Sequence, residues 1–324
     1  MSGNPLLSIE GLRVYFYTYA GVARAVDGVD LRLYEGESFA LVGETGCGKS
    51  TVARAIMGLI PPPGRVVSGR IVLDGVDILS LSEEELRKIR GSKVAYIAQD
   101  PMSALDPLFT IGAHVAETIV SHNSAKWAEA WIKALKILSS VAIPEPERRA
   151  RSYPHELSGG LKQRSVIATA IANNPKLLIA DEPTTALDVT IQTQVMDLVM
   201  DLKKRYRSTL LLIAHNLGLV AEYTERVAVM YLGKIVEVAD VEDLFEKPLH
   251  PYTQGLLKSV PNPLRNIEKL YSIPGSVPSA VNPPQGCRFH PRCPFATDKC
   301  RVEEPPLVEA EKEHLVACWL YSKG

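Results

Sequence analysis

The 324-residue sequence lacks any apolar run of roughly 18 residues, the length a membrane-crossing helix needs. From Met1 to Leu12 there is no charged stretch followed by a long apolar one, so no secretory leader is expected and a cytoplasmic location is. Neither sign of charge dominates. Thirty-six Lys and Arg face 37 Asp and Glu, a formal net charge of -1, which gives no sign of a polyanion-binding surface and argues against a nucleic-acid partner. Internal repeats and sustained heptads are also missing. Cysteines number five, and none of them forms a C-x2-4-C pair of the kind that structural zinc sites favour. What is present is ordinary for a folded globular chain, 46% hydrophobic and 23% charged residues.

The pattern along the chain is that of an α/β fold with a parallel sheet. Residues 38–42 form a short apolar run before a glycine-rich turn, and 51–60 have helical periodicity that stops at Pro61-Pro62-Pro63. Residues 70–73, followed by Asp74-Gly75, read as a hairpin strand and its turn. Residues from about 110 to 172 are mostly helical in pattern. The apolar runs 176–180, 210–214 and 226–231 suit buried parallel strands. Strands alternating with helices predict the α/β class. After residue 247 prolines become dense, which places an expected boundary between 1–247 and 248–324.

Gly43-Glu44-Thr45-Gly46-Cys47-Gly48-Lys49-Ser50 fits G-x-x-x-x-G-K-[ST] between an apolar strand and a helix. The glycines let the backbone curl so that several N–H groups face one anion, and the helix adds its positive end. Lys49 supplies a mobile charge for β- and γ-phosphates, and Ser50 a hydroxyl for Mg²⁺. Cys47 lies in the loop with no assigned task for its side chain and reads as a packing residue. A chance glycine-rich turn would not come with this strand–loop–helix context. The run 177–180 ends in Asp181-Glu182. Acids at the carboxyl end of a parallel strand face the ligand crevice. Asp181 is placed to hold Mg²⁺, and Glu182 to act as general base on an attacking water.

Leu157-Ser158-Gly159-Gly160-Leu161-Lys162-Gln163 resembles the signature sequence of ABC ATPases. Gln99 then matches the family's Q-loop, Thr185-Ala186-Leu187-Asp188 its D-loop, and His215 its switch histidine. Phe16 lies where the family keeps an adenine-stacking aromatic, with Tyr15, Tyr17 and Tyr19 close by. The similar string Ser103-Ala104-Leu105-Asp106 follows Gln99 rather than the acids and is not taken as a D-loop. The resemblance implies a P-loop, RecA-like ABC ATPase core with an antiparallel β subdomain and a helical subdomain at about 101–172. It implies a nucleotide set that also takes in Thr51 and Asp188, and Gln99 as a further Mg²⁺ contact. It also implies a sandwich, with ATP between the phosphate loop of one cassette and Ser158, Gly159 and Gly160 of another.

Beyond the cassette, Leu249-His250-Pro251-Tyr252-Thr253, Ile273-Pro274-Gly275-Ser276-Val277-Pro278 and Cys287-Arg288-Phe289-His290-Pro291-Arg292-Cys293-Pro294 are similar to the tail of oligopeptide/dipeptide importer ATPases. That resemblance implies a peripheral subunit on the cytoplasmic face of the membrane. Its partners would be a second, paralogous ATPase, two permease subunits touched by residues 101–130, and indirectly an extracytoplasmic binding protein. Peptide is the expected cargo, with oligosaccharides or nickel as alternatives. A non-transport ABC ATPase is a remoter reading, disfavoured by a single cassette without coiled coil. An electron-transfer protein built on the cysteines is another, disfavoured as the main activity by the intact ATPase motifs. Cys287, Cys293, Cys300 and Cys318 are spaced C-x5-C-x6-C-x17-C. These wide gaps suit a [4Fe–4S] cluster with one thiolate per iron, and the resemblance agrees. Zinc, with His290 as a substitute ligand, two disulfides, and four free thiols with no metal stay open as alternatives.

Overall fold

A computed structural model describes residues 4–123, 125–185, 188–260 and 271–322. Its strands in chain order are Leu7–Thr18 (β1), Gly21–Leu33 (β2), Ser38–Val42 (β3), Gly64–Leu73 (β4), Val76–Asp77 (β5), Val94–Ile97 (β6), Leu177–Asp181 (β7), Thr209–Ala214 (β8), Arg226–Tyr231 (β9), Lys234–Asp240 (β10), Val308–Glu311 (β11) and His314–Val316 (β12). The chain divides into two compact units. One takes residues up to 33, 38–79 and 213 onward; the other takes 34–37 and 80–212.

The first unit holds an antiparallel sheet in the order β2-β1-β4-β5. The β4–β5 turn is Asp74-Gly75, at φ 50° and 78°. Two positive φ values make the turn whose twist matches a hairpin, which is why Asp-Gly suits it. A second set of strands runs β11-β12-β10-β9-β3. All five residues of β3 are buried, and β3 pairs in parallel with β9 from Phe39↔Arg226 to Val42↔Val229. The helix after the glycine-rich loop is Lys49–Ile56, shorter than the 51–60 periodicity suggests. Gly58, at φ 63°, ends it: Leu59 N–H reaches the Arg54 carbonyl and Gly58 N–H that of Ala55, the Schellman pair, before the prolines are met.

The second unit has β8, β7 and β6 side by side. β6 and β7 run parallel from Val94↔Leu177 to Ile97↔Ala180, and β7 is buried throughout. Around them lie the helices Ile111–His122, Trp127–Ser140, Gly159–Ile171 and Val189–Tyr206. No helix among the described residues is long and apolar enough to cross a membrane.

The described residues beyond 247 fall in the first unit. β12 pairs with β10 through Glu237↔Val316 and Val238↔Leu315, so the tail widens the sheet. Glu237, fully buried, accepts hydrogen bonds from Leu249 N–H (2.7 Å), His250 N–H (2.9 Å) and His314 Nε2 (2.8 Å). A buried carboxylate is tolerable only with such donors, and removing it strands them. Glu237→Leu is therefore expected to lower the unfolding free energy by about 3–5 kcal/mol and to expose residues 308–322 to protease first. Urea unfolding with limited proteolysis reads this, and an unchanged midpoint would contradict it.

Candidate functional site

In the first unit the loop from Gly43 to Gly48 joins β3 to helix Lys49–Ile56. Gly43, Gly46 and Gly48 have φ of 150°, 82° and 110°. A Cβ on Gly43 would lie 2.1 Å from the Met230 carbonyl oxygen, and one on Gly48 2.2 Å from that of Ala25. Side chains are excluded at both positions, and the loop stays wrapped close. Lys49 is buried, and its Nζ donates to the carbonyls of Gly43 (2.8 Å) and Glu44 (3.2 Å). The ammonium is thus already inside the curl where an anion would meet the N–H groups. Thr45 and Gly46 are exposed; Ser50 and Thr51 are half-buried. Cys47 is buried, and burial pushes its thiol pKa up, as befits packing rather than reactivity.

Glu44 has partners that sequence reasoning missed. Its N–H donates to Tyr252 Oη (2.9 Å), and its carboxylate takes a forked pair from Arg292 (2.7 and 3.2 Å). These residues lie 208 and 248 positions downstream, and no spacing rule marks them.

Phe16 is half-buried on β1 opposite Gly64, whose missing side chain makes room for the ring. Tyr15 is committed elsewhere, donating to Asp27 (2.7 Å). Tyr17 is about half exposed and Tyr19 fully so. His215 follows β8 and is exposed, while Asn216 next to it caps the helix Leu217–Tyr223.

In the second unit Asp181 ends β7, buried, and accepts from Tyr96 Oη (2.6 Å). Glu182 follows at φ 46°, a left-handed conformation that costs a residue with a side chain about 1–2 kcal/mol. Its Oε2 accepts from Gln99 Nε2 (2.8 Å) and Thr185 Oγ1 (3.1 Å). The structure thus joins Gln99 and Glu182, which the sequence marked separately, and adds Tyr96 and Thr185. Tyr96 stands three residues before Gln99, the one hint available.

Ser158 and Gly159 are exposed at the start of helix Gly159–Ile171, and the Ser158 hydroxyl makes no capping bond. Gly160 is half-buried, with Ile191 3.4 Å from where its Cβ would stand. Asp188 caps helix Val189–Tyr206 through Ile191 N–H (3.1 Å). Ala186 and Leu187 of the expected D-loop lie outside the described residues. The look-alike string ends in a local turn instead, with Asp106 accepting from Leu108 N–H (2.9 Å).

Cys287, Cys293, Cys300 and Cys318 all line one cavity of about 170 Å³ with Phe289 and His290. All four are free thiols, so the disulfide alternative fails. Among the described residues no group of three or more His, Cys, Asp or Glu side chains could hold a metal ion, which removes support for zinc and leaves the cluster without a preformed ion site. Burial, with the neighbouring sulfurs adding to it, pushes Cys287 and Cys318 up to about 11 and raises Cys293 as well. Backbone N–H groups of Phe289, Phe295 and Leu320 act in the opposite sense on these three sulfurs. Donors aimed at sulfur suit thiolates bound to a positive group.

Comparison with known proteins gives a consistent result. Residues 26–185 match the family described as ABC transporter, and 236–300 that described as oligopeptide/dipeptide transporter, C-terminal region. The oligopeptide transport ATP-binding protein AppD of Bacillus subtilis is 48% identical over 321 residues, spanning 99% of this chain and 98% of that protein. The dipeptide transport ATP-binding protein DppD of Escherichia coli is 46% identical over 302 residues, 93% and 92% of the two chains. Among solved structures, the dimeric ATP-binding cassette MJ0796 in a post-hydrolysis state with ADP and Pi has a TM-score of 0.66 at 27% identity, covering 72% of this chain and 98% of that one. With full-length relatives at this level, the chain belongs to the ABC transporter family, as an ATP-binding subunit of its oligopeptide/dipeptide branch.

Proposed function

We propose that this chain hydrolyses ATP to energise import of di- or oligopeptides. The observation that carries the reading is Glu182, held at a strained backbone angle with its carboxylate fixed by Gln99 and Thr185. Residues 1–247 form the nucleotide-binding portion and 248–324 its extension. Gly43 to Thr51 hold the phosphates, with Lys49 as the mobile cation, and Phe16 supports the adenine. Ser50, Asp181 and Gln99 would hold Mg²⁺, which would neutralise phosphate charge when bound. Glu182 takes a proton from water as the water oxygen bonds to the γ-phosphorus and the bond from that phosphorus to the β,γ-bridging oxygen breaks, releasing ADP and phosphate, and His215 contacts the γ-phosphate. Glu182→Gln keeps the shape without the basic carboxylate. It is expected to bind ATP and to turn it over at least ~100-fold more slowly; near-normal turnover would remove the assignment.

The working motor is a pair of cassettes, this chain with a paralogue, docked on two permeases at the cytoplasmic face of the membrane and served by an extracytoplasmic binding protein. Met102, Leu108 and Phe109 are exposed apolar residues in the stretch expected to meet a permease. The exposed start of helix Gly159–Ile171 offers N–H groups to an anion from a partner, and Asp188, exposed as well, belongs to the D-loop expected at the same nucleotide. Gly159→Asp puts a carboxylate there. Nucleotide binding by the separate chain should persist while ATP-driven dimerisation with the paralogue is lost, as light scattering of the two chains mixed, with a Glu182→Gln background, would show. Normal dimerisation of that double variant would rule out the sandwich.

Cys287, Cys293, Cys300 and Cys318 fit a [4Fe–4S] cluster, because four sulfurs frame one cavity and backbone donors act on three of them. When bound, the cluster supplies positive charge that lets buried thiols ionise, and it fastens the tail. Anaerobically prepared protein should be brown, with about four iron and four sulfide per chain. Cys318→Ser should lose both and open residues 271–322 to protease. A colourless chain with one zinc would decide against the cluster.

A further inference from the structure

Glu44 is the second residue of the phosphate loop, and two residues of the tail hold it from both ends. Tyr252 Oη accepts its N–H, and Arg292 forks onto its carboxylate. The Arg292 side chain is only 4% exposed, and its Nε donates to the Pro274 carbonyl (3.0 Å). The guanidinium also lies 5.8 Å from the centre of the Tyr231 ring. Tyr231, Tyr252 and Phe289 pack with ring centres 4.7–5.4 Å apart, so both contacts to Glu44 come from one buried block. Phe289 and Arg292 are in the segment between Cys287 and Cys293, which lines the cysteine cavity.

A loop with three glycines at positive φ is soft, and it binds phosphate well only when its N–H groups are held in advance. A bare carboxylate at this point would also repel the polyanion the loop is built to take. We propose that Arg292 is a positioning residue for the phosphate loop: it orients Glu44 and cancels its charge, which makes the tail part of the nucleotide site. The proposal rests on reading residues 43–50 as the phosphate loop. Its charge logic separates it from a plain packing role, because neutralising Glu44 should repair the loss of Arg292.

The test measures MgATP affinity of the full chain by calorimetry, with melting temperature alongside. Lys49→Ala checks the underlying reading first: wild type binds and this variant does not. If both bind alike, the loop reading itself fails, independently of Arg292. Arg292→Met is expected to weaken binding about tenfold or more, as loss of a charge-assisted fork would. Adding Glu44→Gln should bring affinity back to within about threefold of wild type, although no fork is restored. Wild-type affinity in Arg292→Met, or a double variant no better than the single one, overturns the proposal. If Arg292→Met does not fold, Arg292→Lys carries the test, since it keeps charge and stem but loses the fork. That variant should bind about threefold more weakly at an unchanged melting temperature, and unaltered affinity would overturn the proposal equally.

Discussion

The close approach of the Gly43–Gly48 backbone to the carbonyls of Met230 and Ala25 constrains the whole first unit. No side chain fits at Gly43 or Gly48, because a Cβ would come within 2.2 Å of a carbonyl oxygen. The loop can lie that close only if β3 and β9 run side by side and both are dry, and every residue of β3 is buried. Helix Lys49–Ile56 then starts where the loop ends, and its first residue turns its ammonium back to the Gly43 and Glu44 carbonyls. Anion affinity in such a loop comes from N–H groups and one cation, not from a rigid side-chain cage. The rigidity has to come from what surrounds the loop.

In the second unit the corresponding constraint is electrostatic. Asp181 is buried at the end of a dry strand and keeps a hydrogen-bond donor in Tyr96. Glu182, one residue later, is turned into the left-handed region, which a β-strand cannot continue through. The strain directs two successive carboxylates differently, one into the core edge and one towards Gln99 and Thr185. Strain of this sort survives where neighbours over-determine the conformation, as they do at sites that need a fixed carboxylate.

The parts legible in the sequence are those whose chemistry is local. The phosphate loop, the Asp181-Glu182 pair and the start of helix Gly159–Ile171 are contiguous stretches whose residue types follow from backbone geometry. The apolar run 226–231 coincides with β9 from end to end, because an apolar run between polar ends is a strong signal for a buried strand. Helix Lys49–Ile56 is shorter and starts earlier than the 51–60 periodicity predicts, since that periodicity runs on through the Gly58 cap. Tyr252 and Arg292 were invisible as partners of Glu44. Their role depends on a fold that returns the chain to the loop more than 200 residues later, and no periodicity encodes that. The proline-rich texture after 247 marks an expected extension, and its described residues fall in the first unit. Proline density reports the lack of regular elements, not the lack of contacts.

How the tail stays packed follows from what it adds to its apolar contacts. Leu249, Val316 and Cys318, with Ala310 against them, form one small buried cluster, and Tyr252 and Phe289 are buried against Tyr231. Buried and half-buried polar pairs supply direction: His314 on Glu237, Arg288 on Asp27 and the Leu232 carbonyl, Arg292 on Glu44. Each joins the tail to a strand or loop of the same unit, and breaking one leaves a largely buried polar group short of a hydrogen bond. Two of the three arginine and histidine anchors lie between Cys287 and Cys293. The residues that fix the first two cysteines in space are therefore neighbours of those that reach β2 and the phosphate loop. Order at the cysteines and order at the loop rest on one short segment.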